Sequence, residues 1–95
     1  MLVIAHHFVQ NADLFWSTAQ KIMAESDVPQ NLKLHAVYPS TDGKTGTCLW
    51  EANSTADVQA WLDKRFSQYA SNVTYEVDEA ASVGAPQKTM AAAFS

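Results

Sequence analysis

Residues 45–69 read TGTCLWEANSTADVQAWLDKRFSQY, and this stretch decides the fold. Its first half is apolar and ends in a tryptophan-containing segment, which indicates a buried strand. In the second half, apolar side chains recur at the spacing of a helix: Val58, Trp61, Leu62, Phe66 and Tyr69. Ser54 and Asp57 between the halves have the spacing of a capping box, which predicts where the helix begins. The stretch is therefore a strand followed by the helix that covers it.

A second strand-then-helix unit precedes this stretch. Residues 2–9 form a nearly continuous apolar run, which is typical of a central strand. Asn11 is a suitable N-cap, and apolar residues at helical spacing continue to about Glu25. These patterns predict a strand and a helix in the first quarter of the chain.

Two further strands complete the pattern. Residues 32–38 and 73–77 alternate between apolar and polar side chains. Asp42-Gly43 is a strong hairpin signal and links the first of these strands to residue 45. The order βαββαβ predicts an α+β, ferredoxin-like domain with a four-stranded antiparallel sheet and two helices on one face. We assign residues 1–79 to this domain and residues 80–95 to an irregular C-terminal tail, for which the alternatives are a short added helix and a strap over a partner subunit.

One face of the predicted sheet has no helices to cover it. We expect the larger residues of the first strand to lie under the helices: Leu2, Ile4, His6 and Phe8. The hairpin register places His35 opposite Trp50 and Val37 opposite Cys48. The uncovered face would then carry Val3, Ala5, Val9, Val37, Cys48 and Trp50. An apolar face of this kind predicts a homodimer that pairs sheet to sheet as an α/β barrel.

Composition limits the classes of protein to consider. The chain has 95 residues, of which 47% are hydrophobic, so it forms one globular domain. Its formal net charge of −4 argues against nucleic acid and against anionic membranes as partners. The single cysteine excludes an internal disulfide. The sequence has no apolar run long enough to span a membrane, and its N-terminus does not have the pattern of a signal peptide. We therefore expect a cytoplasmic protein.

The segment Cys48-Leu49-Trp50-Glu51-Ala52, followed by a capped helix with Trp61-Leu62-Asp63, resembles small bacterial members of the dimeric α/β-barrel superfamily. The resemblance extends over residues 1–79. It implies a ferredoxin-like homodimer and a range of roles that includes small monooxygenases and muconolactone-isomerase-like enzymes. No motif in this sequence identifies a catalytic residue by comparison with that superfamily.

His6 and Glu51 are the candidate catalytic pair. If the first and third strands are parallel neighbours, both residues lie near the same edge of the sheet on the helix side. A carboxylate beside a histidine orients it as a general base and raises its pKa. The alternative is a hydrogen-bonded buried pair, or two residues that do not meet.

Two more groups of residues suggest a site. We expect Trp16, Tyr75 and Trp61 to line a pocket for a flat organic ligand. The interior of the dimer barrel would hold His7, His35, Cys48, Trp50 and Glu76. Imidazole and thiolate suit transition metals, but these residues lack the spacing of a metal motif, and we predict no metal and no cofactor.

These observations favour a homodimeric protein that binds a small aromatic or partly apolar metabolite. If it is an enzyme, the range is a cofactor-free isomerase, cyclase or monooxygenase. A non-catalytic binding or interaction module is the first alternative, and a metal-binding sensor is the second.

Overall fold

The computed structural model describes residues 1–86, and it confirms the predicted ferredoxin-like α+β fold. The elements follow in the order βαββαβ: β1 (Leu2–Val9), α1 (Ala12–Glu25), β2 (Lys33–Pro39), β3 (Thr45–Glu51), α2 (Thr55–Phe66) and β4 (Ala70–Glu76). Both helices lie on the same face of the sheet, where Phe15 of α1 contacts Phe66 of α2 at 4.9 Å between ring centroids. No helix within the described range is long and apolar enough to cross a membrane.

The two helices begin where capping side chains satisfy free backbone N–H groups. The side chain of Asn11 accepts a hydrogen bond from the N–H of Leu14 at 3.2 Å, and that of Ser54 accepts one from the N–H of Asp57 at 3.1 Å. Helix α1 ends at Ser26, which adopts a left-handed conformation with φ of 52°. Both predicted helix starts are therefore confirmed.

The sheet has the strand order β2-β3-β1-β4, and every neighbouring pair is antiparallel. The expectation that β1 and β3 are parallel was wrong. The hairpin reverses the chain between β2 and β3, and the crossover through α1 gives β2 the same direction as β1, so β3 must run against β1. Leu2 consequently pairs with Glu51 and His6 pairs with Thr47.

The assignment of the two sheet faces was also wrong. The helices cover the face that carries the smaller residues of β1, Val3 and Ala5, both fully buried. The larger Phe8 lies on the other face and is 54% exposed. Large buried side chains of the helices fill the space above Val3 and Ala5. These helix residues are Phe15, Ile22, Val58, Leu62 and Phe66. Larger residues at the positions of Val3 and Ala5 would overfill that layer.

The register of β2 with β3 differs from the prediction because β2 contains a β-bulge. Val37 pairs with Cys48 as expected, but Leu34, not His35, lies opposite Trp50. The register shifts between Leu34 and Ala36, so His35 is the extra residue of the bulge. This bulge turns the imidazole of His35 to Glu51, where the Nε2–Oε1 distance is 2.8 Å.

The face without helices, which we call the open face, remains partly exposed. Four large side chains on it are about half exposed or more: Phe8, Tyr38, Val73 and Tyr75. Residues 82–86 pass beside Leu2, Ile4 and Leu49 and share a shallow concavity with them. The predicted strap over a partner lies mostly in residues 87–95, outside the described residues.

Candidate functional site

A small cavity lies between α1 and the sheet. Its volume is about 40 Å³, which is room for two or three water molecules. The wall combines aromatic and aliphatic side chains with an imidazole and a thiol. Its lining residues are His7, Phe15, Trp16, Ala19, Ile22, Met23, Val28, Leu34, Val37, Cys48, Trp50, Trp61, Leu62 and Phe66. No Asp, Glu, Lys or Arg contributes to it. The cavity is therefore an apolar space with polar groups only in its floor.

The cavity exists because α1 stands away from the sheet. The backbone of α2 runs close to β4 and β1, whereas the backbone of α1 stays farther from every strand. Large side chains bridge that gap, among them Phe15, whose ring lies 5.2 Å from that of His7. At one end, Trp16 donates a hydrogen bond from Nε1 to the carbonyl of Gly43 at 2.8 Å. Side chains, not backbone packing, thus hold α1 over the cavity.

A chain of hydrogen bonds forms the polar part of the floor. His7 is 1% exposed, and its Nδ1 lies 2.7 Å from Asn72 Oδ1. On the other side of the ring, Nε2 lies 3.0 Å from the Sγ atom of Cys48. The antiparallel pairing of β1 with β4 sets His7 directly opposite Asn72, and its pairing with β3 brings Cys48 within reach.

The direction of these hydrogen bonds follows from the next partner. Asn72 donates from Nδ2 to a carboxylate oxygen of Asp63 at 3.2 Å, so its Oδ1 faces the imidazole. An amide oxygen only accepts, and His7 must therefore carry its proton on Nδ1. The lone pair of Nε2 then accepts the S–H of Cys48. The surface carboxylate of Asp63 in this way fixes the tautomer of a buried histidine.

Both titratable groups in the floor are held neutral. Burial lowers the pKa of His7 below its ordinary value, and the neighbouring His6 lowers it further, against the opposing effect of the hydrogen bond with Asn72. Burial raises the pKa of the Cys48 thiol to about 12. At neutral pH the pair is thus imidazole and thiol, not imidazolium and thiolate. An uncharged floor suits an apolar cavity.

Trp50 is the exception to this pattern of satisfied groups. Its side chain is 2% exposed and forms part of the cavity wall. Its Nε1 is buried, and within residues 1–86 it has no hydrogen-bond acceptor. Its ring contacts that of Trp61 edge to face, with centroids 5.4 Å apart. A buried N–H without an acceptor is rare in proteins and calls for an explanation.

The predicted catalytic pair of His6 and Glu51 does not form. His6 Nδ1 lies 3.0 Å from the hydroxyl of Thr47, and Glu51 binds His35. Because β1 and β3 are antiparallel and Glu51 pairs with Leu2, the two residues are separated by about 13 Å along the strands. The hypothesis depended on parallel strands and falls with them.

The residues predicted for the barrel interior are divided between the two faces. His7, Cys48 and Trp50 lie under the helices, whereas His35 lies on the open face. Glu76 pairs with Val3 at the end of β4 and is exposed. Within the described part of the chain, no three His, Cys, Asp or Glu side chains come close enough to hold a metal ion. The geometry therefore gives no support to the metal-binding alternative.

Of the predicted ligand-binding residues, Trp16 and Trp61 line the cavity, and Tyr75 lies on the open face beside His6, with ring centroids 5.9 Å apart. The sequence analysis did not identify Asn72 as a site residue. A usable signal was present, because correct antiparallel pairing of residues 2–9 with the last strand sets this amide opposite His7.

Comparison with known proteins finds no match among family models, curated proteins or solved structures.

Proposed function

We propose that this protein binds a small aromatic or partly apolar molecule in the cavity under α1, and that it does so as a homodimer. The cavity itself carries the proposal: an apolar space, walled by aromatic rings, with an uncharged polar floor. Sites for small molecules have this character, with a few polar groups that fix orientation.

The volume of the cavity requires that α1 moves when a ligand enters. A cavity of about 150 Å³ accommodates benzene, and the space here is about 40 Å³. Helix α1 is the element able to move, since side chains such as Phe15 and Trp16 separate its backbone from the sheet. Met23, on the same helix, lines the cavity and is 44% exposed, so an opening on this side leads to solvent.

Cavity filling tests the binding site. Ala19 faces the cavity from α1, whereas Ala24 on the same helix is exposed. We expect Ala19→Leu to weaken binding of a neutral aromatic probe such as acetophenone by at least about tenfold, since the added side chain takes the ligand's volume. Ala24→Leu is the matched control and should bind as the wild type does. Equal binding by both variants would place the ligand elsewhere and refute the site.

The open face supports the homodimer. Phe8, Tyr38, Val73 and Tyr75 share this face, and each is exposed by about half or more. Apolar patches of this kind are typical of protein interaction sites. A second copy of the same sheet offers a surface of matching shape and composition, and a two-fold interface of this type closes on itself.

Light scattering across a dilution series tests the homodimer. Tyr75→Glu on the open face and Leu14→Glu on α1 replace side chains of similar exposure, 49% and 47%. We expect Tyr75→Glu to give a monomer and Leu14→Glu to leave the dimer intact. A wild-type monomer at micromolar concentration would refute the dimer without affecting the cavity.

Proton transfer within the cavity is a second candidate, favoured by the fixed tautomer of His7. Its Nε2 is the basic nitrogen and belongs to the cavity floor, and it would receive a substrate proton only after the Cys48 thiol, whose S–H it accepts, turns away. A cofactor-free isomerase, cyclase or monooxygenase needs such a base within hydrogen-bond reach of its substrate. If this activity exists, His7→Gln should abolish turnover and retain ligand binding. His6→Gln, at the adjacent position on the other face, is the control.

A further inference from the structure

We propose that the ligand of this cavity is a neutral aromatic carbonyl compound, and that Trp50 Nε1–H is the hydrogen-bond donor to its carbonyl oxygen. This inference rests on the proposed function and adds the class of ligand and the residue that recognises it.

The unpaired indole N–H is the first argument. Trp50 is 2% exposed, and its Nε1 is buried without an acceptor within the described residues. A buried donor left without a partner destabilises the fold, because it loses its hydration and gains no hydrogen bond in return. The other cavity tryptophan with a described bond, Trp16, donates to Gly43 at 2.8 Å. Trp50 therefore has a buried donor available for a ligand.

The second argument is what the remaining polar groups do. His7 donates from Nδ1 to Asn72, and its Nε2 accepts the thiol proton of Cys48. Both nitrogens are thus in use, and neither is left to receive a proton from a ligand. The site offers a buried, unpaired donor and no free strong acceptor, so an oxygen acceptor such as a carbonyl matches it better than a hydroxyl or an amine.

Charge provides the third argument. No acidic or basic side chain lines the cavity, and the imidazole and thiol in its floor are uncharged at neutral pH. A carboxylate or ammonium group would lose its hydration there without a countercharge. The ligand is therefore neutral.

The ring contacts argue for a flat molecule. Trp50 meets Trp61 edge to face, and Phe15 meets Trp16 in the same manner at 4.6 Å between centroids. Aromatic edges and faces on several sides of one space favour an aromatic guest, since offset and edge-on ring pairs are stabilising. A planar ring also requires the smallest outward movement of α1.

A pair of probes with one shape isolates the hydrogen bond. Acetophenone carries a carbonyl where α-methylstyrene carries a methylene group, so only the ketone accepts a hydrogen bond. Wild-type protein labelled with ¹⁵N is titrated with each probe, and the indole N–H resonances are followed by NMR. The Trp50 resonance is assigned from its loss in Trp50→Phe. We expect acetophenone to shift that resonance downfield and to bind about tenfold more tightly than α-methylstyrene.

The variants supply the control. Trp50→Phe keeps a ring and removes the donor, so the two probes should then bind within about twofold of each other. Trp61→Phe alters the same wall without removing the unpaired N–H, and the preference for acetophenone should persist. If Trp50→Phe does not fold, the resonance is assigned by through-space contacts in the wild type, and the two titrations still decide the question.

The outcomes separate the two proposals. Equal affinity for both probes, or an unmoved Trp50 resonance when acetophenone binds, would overturn the carbonyl inference and leave the binding cavity standing. Failure of both probes to bind would overturn both. A Trp50 N–H already bonded to a fixed water that acetophenone does not displace would overturn the inference alone.

Discussion

The adjacent residues His6 and His7 lie on opposite faces of the sheet and have different environments. His7 points under the helices and forms neutral hydrogen bonds with Asn72 and Cys48, whereas His6 points to the open face, where its ring lies beside Tyr75 and its Nδ1 meets the hydroxyl of Thr47. The covered face completes its packing with side chains from the helices, and the open face leaves large apolar groups exposed. The comparison shows that residue size in a strand does not reveal its covered face, because β1 sets the small Val3 and Ala5 beside His7 under the helices and leaves Phe8 on the open face.

Removal of one phenylalanine from each face should give the largest contrast. Phe15→Ala takes a 2% exposed ring out of the core, and we expect a loss of about 3–5 kcal/mol in the free energy of unfolding. Phe8→Ala removes a 54% exposed ring and should cost less than about 1 kcal/mol in dilute protein. Urea denaturation at several protein concentrations measures both.

If the open face binds a second copy, the effect of Phe8→Ala should grow with protein concentration, whereas that of Phe15→Ala should not. Equal, concentration-independent losses would mean that both faces are buried within one chain, which would end the comparison.

Ion pairs allow a second contrast between buried and exposed sites. Glu51 is fully buried and lies 2.8 Å from His35, while Asp27 and Arg65 form a pair at 2.9 Å that remains in contact with solvent. We expect Glu51→Gln to cost about 1–3 kcal/mol, because it disturbs a buried hydrogen bond and leaves a buried polar group without a good partner. Asp27→Asn should cost less than about 1 kcal/mol. Thermal unfolding with and without added salt tests both, and a larger loss for Asp27→Asn would contradict the assignment.

Below about pH 6.5, the free energy of unfolding should depend on the protonation of His7. Burial lowers its pKa in the folded state, so below its ordinary value of 6.5 the unfolded chain binds more protons than the folded one. The stability that neutral His7 confers is therefore complete above about pH 6.5 and is lost as the pH falls from there towards the folded pKa. The slope for this group can reach about 1.4 kcal/mol per pH unit.

Urea denaturation midpoints measured at a series of pH values below about 6.5 should fall with decreasing pH in the wild type and in His6→Gln. His7→Gln should be less stable at neutral pH and should lack that part of the slope. A slope that survives in His7→Gln would assign it to another group.

The alkaline limb should report Cys48 with a smaller effect. Its pKa rises from 9.0 to about 12 on folding, so the folded chain retains a proton that the unfolded chain releases. The stabilisation is complete below about pH 9 and declines as the pH rises towards 12. We expect a loss of about 1 kcal/mol near pH 10 that Cys48→Ala lacks. Rapid reaction of the native thiol with a disulfide reagent at pH 8 would contradict this protonation state.

The elements could be predicted from the sequence because their signals are local. The spacing of apolar residues and the caps at Asn11 and Ser54 fix both helices, and alternation fixes the strands. The bulge at His35 could not be predicted, since one extra residue in a strand leaves no mark in an alternating pattern.

The candidate site was predicted only in part, because it depends on which face each strand presents. Trp16 and Trp61 were identified as aromatic wall residues, and His7 and Cys48 were placed together, but on the uncovered face and without Asn72. A face assignment by side-chain size put His7 on the wrong side, and an incorrect strand direction paired His6 with Glu51. Neither error concerns residue type. Both concern long-range pairing, which local patterns do not encode.

The hairpin and α1 meet at a contact that ties two distant positions together. A Cβ atom added at Gly46 would lie 2.7 Å from Cη2 of Trp16, closer than real Cβ atoms approach such a neighbour. Any side chain at position 46 therefore requires either a shift of the Trp16 ring or a smaller residue at position 16. Over many generations these two codons should change together, and an alignment of descendants would reveal the contact as covariation between positions 30 residues apart in the chain.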